Sequence, residues 1–272
     1  MMSKQGELLL VLFLLLSNNL FFYTQAQPCR RSRKPSGHFA HFTGHIGKNI
    51  FDIHKNLFSW DSFRMITLTF PFFIGSRMID EKLQRCFYDE QRHKNVDQVP
   101  AWCHEVARWS IGVPIALLGM QSFLSRDEDF RTTSQVFIVG VPFVILGKKL
   151  IKKFKFDACL RPWNGKFNKN ERSYGGLPSG HVAEATYTAV LYGMRFGYQF
   201  AVPLAALTAF VGVTFLACNR HYLSQLVAGA GFGAMYALAA NKVIDGQLTK
   251  DLSFTVSANE HGGPSFGVGY RF

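Results

Sequence analysis

The chain is short of acid. Eighteen Asp and Glu face thirty Lys and Arg, a formal net charge of +12 at pH 7 over 272 residues. Such a surplus points to an anionic partner: nucleic acid, anionic lipid or a phosphorylated substrate. Among five cysteines there is no Cys-x-x-Cys pair, which argues against a structural zinc site. His38, His41 and His45 recur at helical spacing, yet no carboxylate or cysteine accompanies them. No metal is therefore assigned, and the segment reads as a solvated amphipathic stretch. No internal repeat is visible, so one domain of about 200 residues with flanking segments is the default.

Charge is also missing from the first residues. After Lys4, the run Leu8 to Leu16 is wholly apolar, and Thr24-Gln25-Ala26 ends in small residues. Residues 1–26 read as a signal peptide. Apolarity continues through Phe22, so an uncleaved membrane anchor is the alternative, and both readings export the chain. Exported chains rarely meet nucleic acid, which leaves lipid headgroups and phosphates; a plainly solvated basic surface is the competing reading. In an oxidising compartment Cys86 and Cys103 could pair. Cys159 and Cys218 sit beside apolar runs and read as small buried thiols.

Residues 27–60 open on Arg30, Arg31, Arg33 and Lys34 and stay polar and basic. Six apolar segments follow: Met65 to Ile79, Val106 to Leu124, Thr132 to Lys152, His181 to Phe196, Phe200 to Arg220 and Tyr222 to Ile244. Each exceeds ten residues and Ala, Leu, Gly and Met are frequent, so helix is favoured over buried strand. Pro114, Pro142 and Pro203 should kink three of them or mark first turns. Asp80 to Cys103 reads as a polar linker and Trp163 to Leu177 as a loop. The tail changes period: Leu252, Phe254 and Val256 alternate with polar residues, and Phe266, Val268, Tyr270 and Phe272 do so after a turn. Residues 246–272 thus read as a β-hairpin lying on the bundle or on a lipid surface. A last outer-membrane strand is the other reading, but two strands cannot close a barrel.

Chemistry concentrates at three places. Pro178-Ser179-Gly180-His181 opens one apolar helix, where unpaired backbone N–H groups and the helix dipole favour an anion. Asn219-Arg220-His221-Tyr222-Leu223-Ser224-Gln225 opens the last, with Gln225 one turn from His221 on the same face. Arg161-Pro162 ends a third apolar run. With antiparallel neighbours these three ends point the same way, so two imidazoles and a guanidinium can converge. That set fits phosphoryl transfer through a phosphohistidine: one imidazole attacks, the other protonates the leaving oxygen, and cations hold the phosphate.

Arg161-Pro162, Pro178-Ser179-Gly180-His181 and His221-Tyr222-Leu223-Ser224-Gln225-Leu226-Val227-Ala228-Gly229 resemble the three signature blocks of the type 2 phosphatidic acid phosphatase superfamily, which also contains the vanadium haloperoxidases. The resemblance covers roughly residues 60 to 245. It implies an all-α, six-helix bundle of the acid phosphatase/haloperoxidase type over 61–245, followed by the short C-terminal hairpin. It implies His221 as nucleophile, His181 as general acid, and Arg161 with Ser179 and Gly180 as phosphate ligands, with no cofactor. Three positions depart from the pattern. The family's lysine, seven residues before the arginine of the first block, is Phe154 here, flanked by Lys153, which could still reach. Its second arginine, six before the nucleophile, is Phe215, with Arg172 or Arg220 as candidate substitutes. Its orienting aspartate is Gln225, which can accept the imidazole N–H but carries no charge. Glu184 could orient His181 or serve the helix dipole.

Gln199 to Cys218 and Tyr222 to Ala240 are uncharged for about the length that crosses a bilayer, although a mean hydropathy of +0.05 is low for six spans. If every helix spanned after an exported N-terminus, the site would face the cytoplasm. Lys148, Lys149, Lys152 and Lys153 agree with that orientation by charge, but phosphate binding explains them as well. The favoured reading is a bundle in or on the membrane of the cell envelope, its site facing the periplasm or exterior. The expected function is metal-independent hydrolysis of a lipid phosphate or lipid pyrophosphate. The alternative is a weakened or inactive relative that binds phosphorylated lipid or plays a structural role in the envelope. Partners are thus a phosphorylated lipid and the membrane, not nucleic acid, with oligomeric state left open.

Overall fold

The computed structural model describes residues 38–87, 101–155, 157–162, 174–248, 252–258 and 264–270. The expected signal peptide and Arg172 lie outside them. Seven α-helices are described: α1 His38–Leu57, α2 Trp60–Phe87, α3 Ala101–Leu124, α4 Glu128–Ile151, α5 Gly180–Phe196, α6 Tyr198–Ala217 and α7 Leu223–Leu248. A short 3-10 turn, Asp157–Cys159, lies between α4 and α5. The chain is therefore mostly helical, with one helix more than the six apolar segments implied. That helix is α1, in the segment read as a solvated stretch. Ile46, Ile50, Ile53 and Leu57 recur on one face, and Ile53 is fully buried in the core, as helical periodicity allows.

Local chemistry explains several helix ends. Asp127 caps α4, its carboxylate accepting from the Phe130 N–H at 2.7 Å. Glu128 and Asp129 in the first turn and Lys148 and Lys149 in the last complement the helix dipole. Between α5 and α6 a single residue, Gly197, turns the chain at φ +78°, a left-handed value that glycine adopts without strain.

Helix α7 is the hub and packs against α5, α2, α1 and α4. Its contact with α5 requires glycine. A Cβ on Gly229 would lie 2.5 Å from the Ser179 carbonyl oxygen, and one on Gly233 would overlap the Ala183 carbonyl oxygen. Small residues four apart thus let two backbones approach closely, as in tightly packed membrane helices. Around this seam Phe130, Phe137, Tyr187, Tyr192, Phe200 and Ile244 are fully buried.

Helix α2 runs eight residues beyond the predicted apolar segment, into the polar stretch whose composition predicts a linker. Its polar residues Ser76, Asp80 and Gln84 are buried at helical spacing, while Phe63, Leu68, Phe70, Phe72 and Met78 are exposed. Near the end of the helix Glu81, Lys82 and Arg85 are exposed as well. Three helices, α4, α6 and most of α7, are long and apolar enough to cross a membrane.

Strands β1 (Leu252–Ala258) and β2 (Pro264–Tyr270) pair antiparallel, with Phe254 opposite Val268 and Val256 opposite Phe266. The cysteines require correction. Cys86 is an exposed free thiol whose sulfur faces the Lys82 carbonyl one turn back, so the Cys86–Cys103 bridge does not form. Cys159 is a buried thiol as expected, whereas Cys218 is disulfide-bonded.

Candidate active site

The turn between α6 and α7 is built around Phe215. The Arg220 and His221 N–H groups both donate to its carbonyl, at 2.9 and 3.4 Å. Asn219 adopts φ +54° to make this turn, a conformation that asparagine tolerates better than most residues. The result delivers His221, 1 % exposed, just ahead of α7.

Gln225, fully buried, fixes that imidazole. Its amide nitrogen donates to the carbonyls of Ala158 at 3.0 Å and Leu160 at 2.6 Å. The amide oxygen is thereby turned to accept from the Tyr222 N–H at 3.3 Å and to face His221 Nδ1 at 3.1 Å. An oxygen can only accept, so Nδ1 carries the proton and the lone pair resides on Nε2. Gly176 permits this arrangement, since a Cβ there would meet the Gln225 amide at 2.5 Å.

His181 lies in the first turn of α5, half-buried. Both imidazoles lie against the Phe215 ring, whose centroid is 5.2 Å from that of His181 and 5.4 Å from that of His221. The Ser179 N–H is committed to the Gln225 carbonyl at 2.9 Å, while its buried hydroxyl has no hydrogen-bond partner among the described residues. Lys148 lies across Gly180, where a Cβ would come within 2.5 Å of its Cδ. Its ammonium pairs with Glu184, so that carboxylate serves the α5 entrance through a lysine.

Three further cations surround His221. Arg161 donates to the Arg220 carbonyl at 3.2 Å and the Gly175 carbonyl at 3.0 Å, tying the loop before α5 to the α6–α7 turn. Burial, then the Arg220 charge, lowers its pKa to about 10. Arg220 sits with its guanidinium 5.4 Å over the Phe215 ring, and burial lowers it to about 10 as well. Lys152 is lowered to about 7 by burial, then by Arg161, Lys148 and Arg220, with Glu184 opposing. His221 is held well below the usual imidazole range by burial and then by Arg161, Lys152 and Arg220. Like charges crowded in a low-dielectric site repel one another, and an anion placed among them relieves that cost.

The sequence nominated Lys153 for the missing family lysine. The structure leaves Lys153 exposed, with Phe154 62 % exposed beside it, and directs Lys152 inward. The signal for Lys152 was present: Lys148 and Lys152 are four apart at the end of α4 and share a helical face. Of the two candidates for the second arginine, Arg220 is at the site. Sequence reasoning missed Asp80 and Gln84 altogether. From α2, Asp80 accepts from the Ser224 N–H at 2.9 Å and from the Ser224 hydroxyl, and Gln84 donates to the Leu216 carbonyl at 3.0 Å and to Asn219 Oδ1 at 2.8 Å.

No curated protein matches this chain. Among solved structures, it is similar to that of the first transmembrane PAP2-type phosphatidylglycerolphosphate phosphatase from Bacillus subtilis. The identity is 13%, the TM-score 0.44, and the match covers 78% of this chain and 96% of that one. Residues 133–247 match the family model of the PAP2 superfamily. That stretch holds Lys152, Arg161, His181, His221 and Gln225.

Proposed function

We propose that this chain hydrolyses a lipid phosphate or lipid pyrophosphate through a phosphohistidine, with its site at the membrane surface. The observation that carries the reading is His221: Gln225 fixes its Nδ1 proton, leaving the Nε2 lone pair for attack, and three cations cluster around it. His221 Nε2 attacks phosphorus, and the bond to the leaving oxygen breaks as His181 delivers a proton to it. Lys152, Arg161 and Arg220 hold the non-bridging oxygens. Water then attacks phosphorus, giving its proton to His181. The phosphorus–nitrogen bond breaks and its electron pair returns to Nε2.

Gln225 preserves the tautomer but brings no charge to stabilise the imidazolium. In the serine-protease triad, neutralising the equivalent carboxylate drops turnover roughly 10⁴-fold, so slow turnover is expected here. The family match and three helices of membrane-crossing length support a lipid substrate. Envelope location and an outward-facing site complete the proposal.

The test is phosphate release by purified protein in detergent micelles containing phosphatidate, a polyprenyl pyrophosphate or a lipid A phosphate, without added metal. Wild type should release phosphate from at least one, and His221→Ala should abolish release. Release that survives this substitution overturns the reading. Tight vanadate binding without any turnover would instead mark a lipid-phosphate binder.

A further inference from the structure

We propose that Asp80 and Gln84 of α2 are positioning residues for the nucleophile, forming a brace from outside the family-matched segment; this rests on the reading of His221 as nucleophile. Helix α2 ends at Phe87, well before residue 133 where that match begins. The end of this helix leaves Glu81, Lys82 and Arg85 in solvent, whereas Asp80 and Gln84 are buried, so these two serve something other than solubility. Both spend their hydrogen bonds on the α6–α7 turn. Asp80, 2 % exposed, accepts from the backbone N–H and the hydroxyl of Ser224, a residue of the first turn of α7. Arg77 donates to the same carboxylate at 3.3 Å. Gln84 holds both the end of α6, through the Leu216 carbonyl, and the left-handed Asn219, through its side chain.

His221 lies between these anchors, with Asn219 on one side and Ser224 on the other. Within the turn the Phe215 carbonyl receives the Arg220 and His221 N–H groups and Arg161 holds the Arg220 carbonyl; Gln84 and Asp80 add anchors at Asn219 and Ser224. Asn219 occupies a backbone region that costs a non-glycine residue energy and persists only where neighbours enforce it. Asp80 also takes a donor that the start of α7 leaves without an intrahelical partner, in the manner of an N-cap supplied by another helix. A carboxylate acting through Ser224 reaches the imidazole only by geometry, so it governs the attack step and not phosphate binding.

The experiment compares wild type, Asp80→Ala, Asp80→Asn, Gln84→Met and Ser224→Ala, each with His221 labelled for ¹⁵N NMR and assayed for phosphate release from lipid phosphate. Losing a charge-assisted hydrogen bond at this distance should lower kcat by on the order of 10- to 100-fold, with KM and vanadate affinity within about twofold. Asp80→Asn keeps one acceptor and should recover much of kcat. Gln84→Met, close in shape, should lower kcat in the same way and serves if Asp80→Ala does not fold. In the NMR, wild type should show protonated Nδ1, and Asp80→Ala or Gln84→Met should show mixed tautomers or line broadening. Folded variants with wild-type kcat and an unchanged His221 signal overturn the brace. An inactive wild type defeats the hydrolase reading instead, and the His221 signal still decides the brace in that case.

Discussion

Gln225 uses both ends of its amide, and this defines what a carboxylate could do in its place. Aspartate would be one methylene shorter and would turn an acceptor toward the Ala158 and Leu160 carbonyls, which now receive the amide N–H groups. Each buried acceptor left without a donor costs about 1–3 kcal/mol. Gln225→Asp is therefore expected to lower the melting temperature and to reduce phosphate release, despite restoring the family residue. A thermal melt beside the release assay checks both. Lys152 supplies a second prediction. Its pKa of about 7 lies below the ordinary lysine value of 10.5. The folded protein thus binds fewer protons than the unfolded chain between those values, and stability contributed by this group rises with pH across that window. Binding of an anion asks for the opposite, a charged ammonium. Inorganic phosphate affinity should therefore fall as pH rises through about 7 in wild type, beyond the change intrinsic to phosphate itself. Lys152→Met should bind more weakly and lose that excess slope, which titration calorimetry from pH 5.5 to 9 would measure. His221, held well below its usual range, stays neutral through mildly acidic pH and contributes no limb there.

The α5–α7 seam is where helix packing decides whether there is a site at all. Gly233→Ala would place a methyl against the Ala183 carbonyl, backbone that cannot swing away. Overpacking of this kind costs about 1–3 kcal/mol or more, and the displaced α5 carries His181 away from His221. Lower thermal stability with a loss of release exceeding that of Gly246→Ala, where a Cβ meets nothing within 4 Å among the described residues, is the expected pattern. Much of this was legible beforehand. The signature residues at the starts of α5 and α7 announced themselves by sequence, and long apolar runs announced the helices. The inward lysine is Lys152 because it shares a helical face with Lys148, whereas family spacing points to the neighbouring Lys153. Asp80 and Gln84 were missed for a deeper reason. Polar residues after an apolar run look like a linker, and nothing local says that Asp80 and Gln84, unlike Glu81 and Arg85, are buried. Only the partners, 144 and 135 residues away in sequence, give those side chains their meaning.

Taken as one body, the molecule presents apolar side chains outward on α2, α3 and α6, including Phe72 at 72 %, Trp109 at 60 % and Val202 at 64 % exposed. Scattered apolar residues need no explanation, but surfaces of this extent indicate a lipid or protein neighbour. The expected outcome is retention in the membrane fraction after alkaline carbonate washing, with release only by detergent. Appearance in the wash supernatant would count against spanning helices. Cys218, bridged three residues ahead of His221, carries a final consequence. Thiols of mesophilic cells stay reduced in the cytosol and pair outside it, so this bond acts as a compass for the whole bundle. A membrane-impermeant maleimide applied to intact cells should mark Cys218 only after an impermeant reductant has opened the bridge, and so reveal which face of the bilayer the nucleophile addresses.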